Sequence, residues 1–165
     1  MLPDPLDMMS EDDLPNESMA DLAHACGIEV AKALMRALPG QYFIVPQNAF
    51  EKAQERAKIA GRAEIQPDDL PTPSWRAMAV HCGMGITLKV LEKGGNIRLL
   101  IPSVLSESLC RRFIREHFNG QNAVDVSVRL GISRSYLYKL LSTRGSGLSQ
   151  RGSQPQADRS QLRLL

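Results

Sequence analysis

Apolar positions recur at helical spacing over several stretches, and two short apolar runs closed by proline interrupt them. From Ser18 to Leu38, Met19, Leu22, Ile28, Val30, Leu34 and Leu38 predict an amphipathic helix with a possible break at Gly27, ended by Pro39 and Gly40. Tyr42 to Val45 then reads as a short strand stopped by Pro46, followed by a charged helix from Gln47 to Ala60. Residues 62–74, with Pro67, Pro71 and Pro73, form a connection. A second helix is expected from Trp75 to about Lys93, ended by Gly94 and Gly95, with Ile97 to Ile101 as another strand closed by Pro102. A helix opening at Ser103 or Ser106 and reaching His117 carries the stripe Leu105, Leu109, Phe113 and Ile114.

The two helix-then-strand stretches share their order. Offset by 56 residues, Val30, Leu34, Met35, Phe43, Ile44, Val45 and Pro46 fall on Ile86, Val90, Leu91, Leu99, Leu100, Ile101 and Pro102. A partial internal duplication and a chance likeness of composition both account for this.

The most informative stretch is Phe118 to Leu141, FNGQNAVDVSVRLGISRSYLYKLL. Gly131 stands where the chain must reverse with positive φ, Ser127 is small where two helices would cross, and Val126, Leu130, Ile132, Leu137 and Leu140 supply a shared core. Ser133 is placed to cap the second helix. Together these predict a helix-turn-helix whose open face offers Arg134, Ser135, Tyr136, Tyr138 and Lys139 to phosphate and base edges. Packing of Tyr136 inward beside Leu140 is an equal alternative. A helical hairpin used only for packing is the competing explanation of the whole motif.

Charge is uneven along the 165 residues. Residues 1–21 hold seven acidic side chains and no basic ones, whereas residues 103–165 hold ten Arg or Lys against four acids, a net of +6. The basic C-terminal part fits a polyanionic partner. Residues 1–17, acidic and proline-interrupted, are expected to be a disordered tail, and residues 144–165 a flexible basic tail whose Arg144, Arg151, Arg159 and Arg163 add salt-sensitive affinity for DNA. For Arg111, Arg112 and Arg115 a solvated helix face is favoured over clamping of the DNA backbone.

No run approaches the length of a membrane span, and the N-terminus lacks the pattern of a secretory signal, so a cytoplasmic protein is expected. Cys26, Cys82 and Cys110 have no disulfide pattern, and the pairs His24/Cys26 and His81/Cys82 lack metal-ligand spacing. No catalytic grouping, cofactor motif or metal site is read, and an enzyme is not expected.

From Trp75 to Thr143 the chain resembles the Mor/C family of transcription activators of Mu-like phages and prophages. The resemblance lies in KGGNIRLLIPS, SESLCRRFIREHF, FNGQN at Phe118–Asn122 and GISRSYLYKLL, and covers somewhat under half of the chain. It implies a mainly α protein: a helical dimerisation region with short strands over 18–102, then a helix-turn-helix over 103–143. It further implies a homodimer on an imperfect dyad in double-stranded DNA, recruitment of host RNA polymerase, Ile97–Ile101 as a strand pairing across subunits, and DNA contacts by Gln121, Asn122, Arg134, Ser135, Tyr138 and Lys139, to which the pattern of the second helix itself adds Ser133 and Tyr136. The chain departs from the family before Trp75, where the extra helix and strand allow Tyr42–Val45 to pair with Ile97–Ile101 inside one subunit. A repressor, a recombination accessory protein and a helical protein-interaction module are the alternative functions.

Overall fold

The computed structural model describes residues 1–95 and 97–144. They divide into two compact units: Leu6–Ser106, and Glu107 onward together with Met1–Pro5. The described residues are mainly helical, with eight α-helices and one two-stranded antiparallel sheet. No helix among them is long and apolar enough to cross a membrane.

In the Leu6–Ser106 unit the order is α1 (Glu17–Cys26), α2 (Ile28–Ala37), β1 (Tyr42–Ile44), α3 (Ala49–Ile59), α4 (Pro73–Cys82), α5 (Met84–Lys93) and β2 (Arg98–Leu100). The predicted break at Gly27 is present, and the helix expected without interruption from Trp75 to Lys93 is likewise broken, at Gly83. Both glycines lie at positive φ with extended ψ, +101°/151° and +89°/156°. That region is open essentially to glycine alone. Each glycine still donates its N–H to the last turn before it, Gly27 to the Ala23 carbonyl at 2.8 Å and Gly83 to Ala79 at 2.9 Å. Each break turns one long amphipathic segment into two ten-residue helices folded against each other.

The strands are shorter than their apolar runs and pair within the chain, with Tyr42 opposite Leu100, Phe43 opposite Leu99 and Ile44 opposite Arg98. Alternation sends Phe43 and Leu99 into the core and leaves Tyr42, Ile44 and Leu100 about half exposed. Beneath the ribbon the Phe43 and Trp75 rings meet edge-on, with centroids 5.7 Å apart. At the outer edge of β2, the Leu100 N–H donates to Ser18 Oγ at 3.1 Å, and Asn16 Nδ2 donates to the Leu100 carbonyl at 3.0 Å.

An internal repeat organises this unit. Adding 56 to the bounds of α1, α2 and β1 gives the bounds of α4, α5 and β2 in every case. The match reaches upstream of α1, where Asp12-Asp13-Leu14-Pro15 recurs as Asp68-Asp69-Leu70-Pro71. Buried positions correspond as well: Met19 with Trp75, Leu22 with Met78, Leu34 with Val90, and Val45 with Ile101. The central strand pair, Phe43 with Leu99, joins two equivalent residues, so a local two-fold axis passes between them.

The repeat explains why residues 1–17 are not the disordered tail expected from their composition. Short 3-10 turns form at Pro5–Met8 and Glu11–Asp13, and Leu6, Met9 and Asp13 are buried. Asp13 accepts from the Ser10 N–H and hydroxyl at 2.9 and 3.1 Å, and Asp7 pairs with Arg36 at 2.8 Å. Burial of Leu6 and Met9, local capping and an ion pair supply the order that the acidic, proline-interrupted composition seemed to preclude. Asp69 repeats the motif: it accepts from the Gln66 N–H at 2.8 Å and takes both arms of the Arg62 guanidinium at 2.6 and 2.9 Å. Arg56 of α3 donates to its carbonyl at 2.6 Å. The proline-rich connection between the halves is thus clamped to α3, whose Ala49, Ala53 and Ala57 form a buried stripe.

Two outcomes are expected. Alanine at Gly27 or Gly83 meets no atom within 4 Å at its Cβ, so only the backbone resists. Each substitution should therefore lower unfolding free energy by about 1–3 kcal/mol in urea denaturation. The Arg62 hydrogen bond holds the Asp69 carboxyl below its ordinary value, reinforced by the Gln66 N–H. The unfolded chain binds this proton more readily, so the stabilisation is complete above the ordinary carboxylate range and is lost as pH falls through the depressed folded value. Asp69→Asn should melt at lower temperature than the unaltered protein at neutral pH, with the gap narrowing below roughly pH 4.

Candidate nucleic-acid interface

The second unit is built on three helices: α6 (Glu107–His117), α7 (Ala123–Leu130) and α8 (Arg134–Arg144). Leu109, Cys110, Phe113 and Ile114 of α6 are buried, as are Ala123, Val126, Ser127 and Leu130 of α7 and Leu137 and Leu140 of α8. Burial pushes the Cys110 thiol up to about 11, with Glu107 adding to the shift, so the sulfur stays neutral and serves as a small apolar group.

The turn between α7 and α8 is specified residue by residue. Gly131 takes the left-handed conformation at φ +72°, and its N–H donates to the Val128 carbonyl at 3.1 Å. The Ile132 N–H reaches back to the Ser127 carbonyl at 3.0 Å, closing the helix end. Ser127 Oγ donates to the Ala123 carbonyl at 2.8 Å, which lets a hydroxyl lie buried between the helices. Ser133 Oγ accepts from the Tyr136 N–H at 3.0 Å, the capping bond expected of it.

At ~100° per residue, the side chains of α8 divide into two halves. Arg134, Tyr138, Ser142, Ser135 and Lys139 fall within an arc of ~140° and are all exposed. Tyr136, Leu140, Leu137 and Leu141 fall on the opposite side. Of the two alternatives for Tyr136, the structure has it half-buried on the side of α8 that faces α6, near Glu107. Burial and then Glu107 raise its phenol above the ordinary value, keeping it a neutral donor. The same helical arithmetic, applied to the sequence, separates Tyr136 from the outward set. Tyr138 remains 50 % exposed and is braced edge-on by Phe118 at 6.2 Å between centroids.

The FNGQN segment divides similarly. Asn119 Oδ1 accepts from the N–H groups of Gln121 and Asn122 at 2.8 and 3.0 Å, and Gly120 turns the chain at φ +93°. Asn122 Oδ1 accepts from the Asn119 N–H at 2.9 Å, and its Nδ2 donates to the His117 carbonyl at 2.9 Å. Asn122, expected as a DNA contact, is half-buried and fastens this loop, and Gln121 is exposed. Arg111 is also committed internally: it pairs with Glu107 at 2.9 Å and donates to the Leu140 carbonyl at 3.0 Å. Arg112 is half-buried and Arg115 exposed. Of the arginines assigned to the basic tail, Arg144 ends α8, and Arg151, Arg159 and Arg163 lie outside the described residues.

α8 begins without an acid in its first turn. α1, α2, α3, α6 and α7 carry an acid in the first turn, where it complements the positive helix end. α4, α5 and α8 carry none, and α8 opens directly on Arg134. A cation at that end costs about 0.3–1 kcal/mol rather than stabilising the helix. The resulting surface is cationic, rich in hydroxyls and held on a rigid element.

Asn122→Ala should lower the stability of this unit by about 1–3 kcal/mol, since two hydrogen bonds worth roughly 0.5–1.5 kcal/mol each are lost. Gln121→Ala should leave stability within about 0.5 kcal/mol in the same denaturation experiment.

No family model, curated protein or solved structure matches this chain.

Proposed function

We propose that this protein is a sequence-specific DNA-binding transcription regulator that lays α8 in the major groove. The observation that carries this reading is the outward half of α8: two cations, serine hydroxyls and an exposed tyrosine on a capped helix that begins, against its own dipole, with Arg134. A helix whose surface served only solubility would gain from an acid in that first turn. The first residues of a reading helix are also those that meet base edges.

Arg134 and Lys139 supply charge to guanine or phosphate, and Ser135 and Gln121 supply shorter polar contacts. Tyr138, held by Phe118, offers a hydroxyl to phosphate or a ring face to a thymine methyl. Ser133 keeps its hydroxyl proton for a contact while its oxygen caps the helix. The resemblance to the Mor/C activators gives the sense of regulation we propose, activation through host RNA polymerase. It also carries a dimer on a dyad, but strand pairing here is made between β1 and β2 of one chain.

Footprinting across promoters flanking the gene is the direct test; absence of any protected sequence would end this reading. At a protected site, Arg134→Ala should weaken specific binding by about 1–3 kcal/mol and random DNA much less. Equal losses on both would make Arg134 a phosphate contact. Arg134→Glu should abolish binding while raising stability by about 0.3–1 kcal/mol, an opposition that a purely structural role would not produce.

A further inference from the structure

The two halves of the Leu6–Ser106 unit supply from one chain the elements that a two-fold dimer draws from two. Their equivalence extends to the hydrogen bonds that join them. The Val45 N–H donates to the Ile97 carbonyl at 3.0 Å, and the Ile101 N–H donates to Gln41 at 2.9 Å. Adding 56 to 45 and subtracting it from 97 converts the first bond into the second. Helix contacts follow the same exchange: α1 packs against α5, and α2 against α4. The surface that a second copy would cover is covered by the other half of the same polypeptide.

Only the second half leads into a helix-turn-helix. The first strand is followed, after a similar interval, by α3, which is committed to its own unit through its alanine stripe and the Arg56 bond to the Asp69 carbonyl. Among the described residues there is accordingly one reading helix for a complete two-fold core.

We infer that residues 10–46 and 66–102 are a dimerisation core fused into a single polypeptide, and that the protein engages DNA as a monomer with one reader, at a single non-palindromic site. The DNA part of this inference rests on the function proposed above. A lone reader gives the complex a direction along the duplex, which a symmetric dimer on a dyad lacks. With about half the base contacts of a dimer, it draws a larger share of its affinity from salt-sensitive phosphate contacts.

Full-length protein tests both parts. Tyr42 and Leu100 are directly opposed and about half exposed, so Tyr42→Cys with Leu100→Cys places two thiols in bridging range. Mild oxidation should give a cross-linked species that migrates as a monomer, with the bridge located by peptide mapping. Light scattering on the unaltered chain should give a mass near 18.2 kDa, so the outcome does not depend on the variant's folding. Titration of a protected DNA fragment should reach one chain per duplex, and deletion of either flank of the contacted sequence should change affinity less than twofold.

A disulfide-linked dimer, or a mass of two chains, overturns the fused core. Two chains per duplex, with binding lost when one half of an inverted repeat is removed, overturns the single-reader inference and leaves the DNA-binding reading standing. A monomeric cross-link without any protected DNA overturns that reading and the single-reader inference with it, while the fused core survives.

Discussion

The larger unit depends on the meeting of Phe43 and Leu99. Strands of three residues are too short to persist alone, and a two-stranded ribbon without a packed face is marginal in water. Here the ribbon gains its stability from one inward residue per strand, which together with Trp75 form a continuous apolar centre. Four helices, each only ten residues long, would also be marginal in isolation. They become stable by packing on one another, α1 and α4 each against both α2 and α5. The two-fold relation makes the bonds flanking the strands and the α1–α5 and α2–α4 contacts occur in pairs, whereas those of Asn16 and Ser18 with Leu100 occur once.

Glycine conformation and acid placement then decide how closely the halves can close. Gly27 and Gly83 permit helix breaks at a backbone conformation that side chains rarely adopt, with α2 in contact with α1 and α5 with α4. Asp13 and Asp69 order the segments that lead into α1 and α4. The Arg62–Asp69 clamp belongs to the second half alone, where a long connection with three prolines must be held against α3. The equivalent of Arg62 in the first half is Leu6, which is buried as an apolar residue. Duplicated backbones are thus maintained by different side-chain chemistry.

In the smaller unit, the two sides of α8 carry different chemistry, with apolar anchors on one and cations and hydroxyls on the other. Leu137 and Leu140 anchor α8, and Arg111 of α6 ties down its Leu140 carbonyl. The fixing of that flank is what makes the opposite half a defined surface. Arg134 lies outside every stabilising contact named for α8 and runs against the helix dipole. That departure from a local rule is what singles out this side of α8 for the DNA-binding role proposed above.

Much of this was legible along the chain. The left-handed turn at Gly131, the buried Ser127, the Ser133 cap and the Leu137/Leu140 anchor follow from local steric and hydrogen-bonding rules that need no distant partner. The two apolar runs before Pro46 and Pro102 announced strands for the same reason, and the recurrence of Asp-Asp-Leu-Pro was a signal of duplication that helix periodicity overlooked. Tyr136 was also separable by its angle around α8. Other features required the folded chain. The order of residues 1–17 comes from buried side chains and an Asp7–Arg36 contact distant in sequence, and the fastening role of Asn122 comes from carbonyl and amide groups that only the loop brings together. Above all, an apolar strand states that it needs a partner but not which one. That β1 meets β2 of its own chain, in a register joining equivalent residues, was decided by helix packing and by the reach of the connection between the halves.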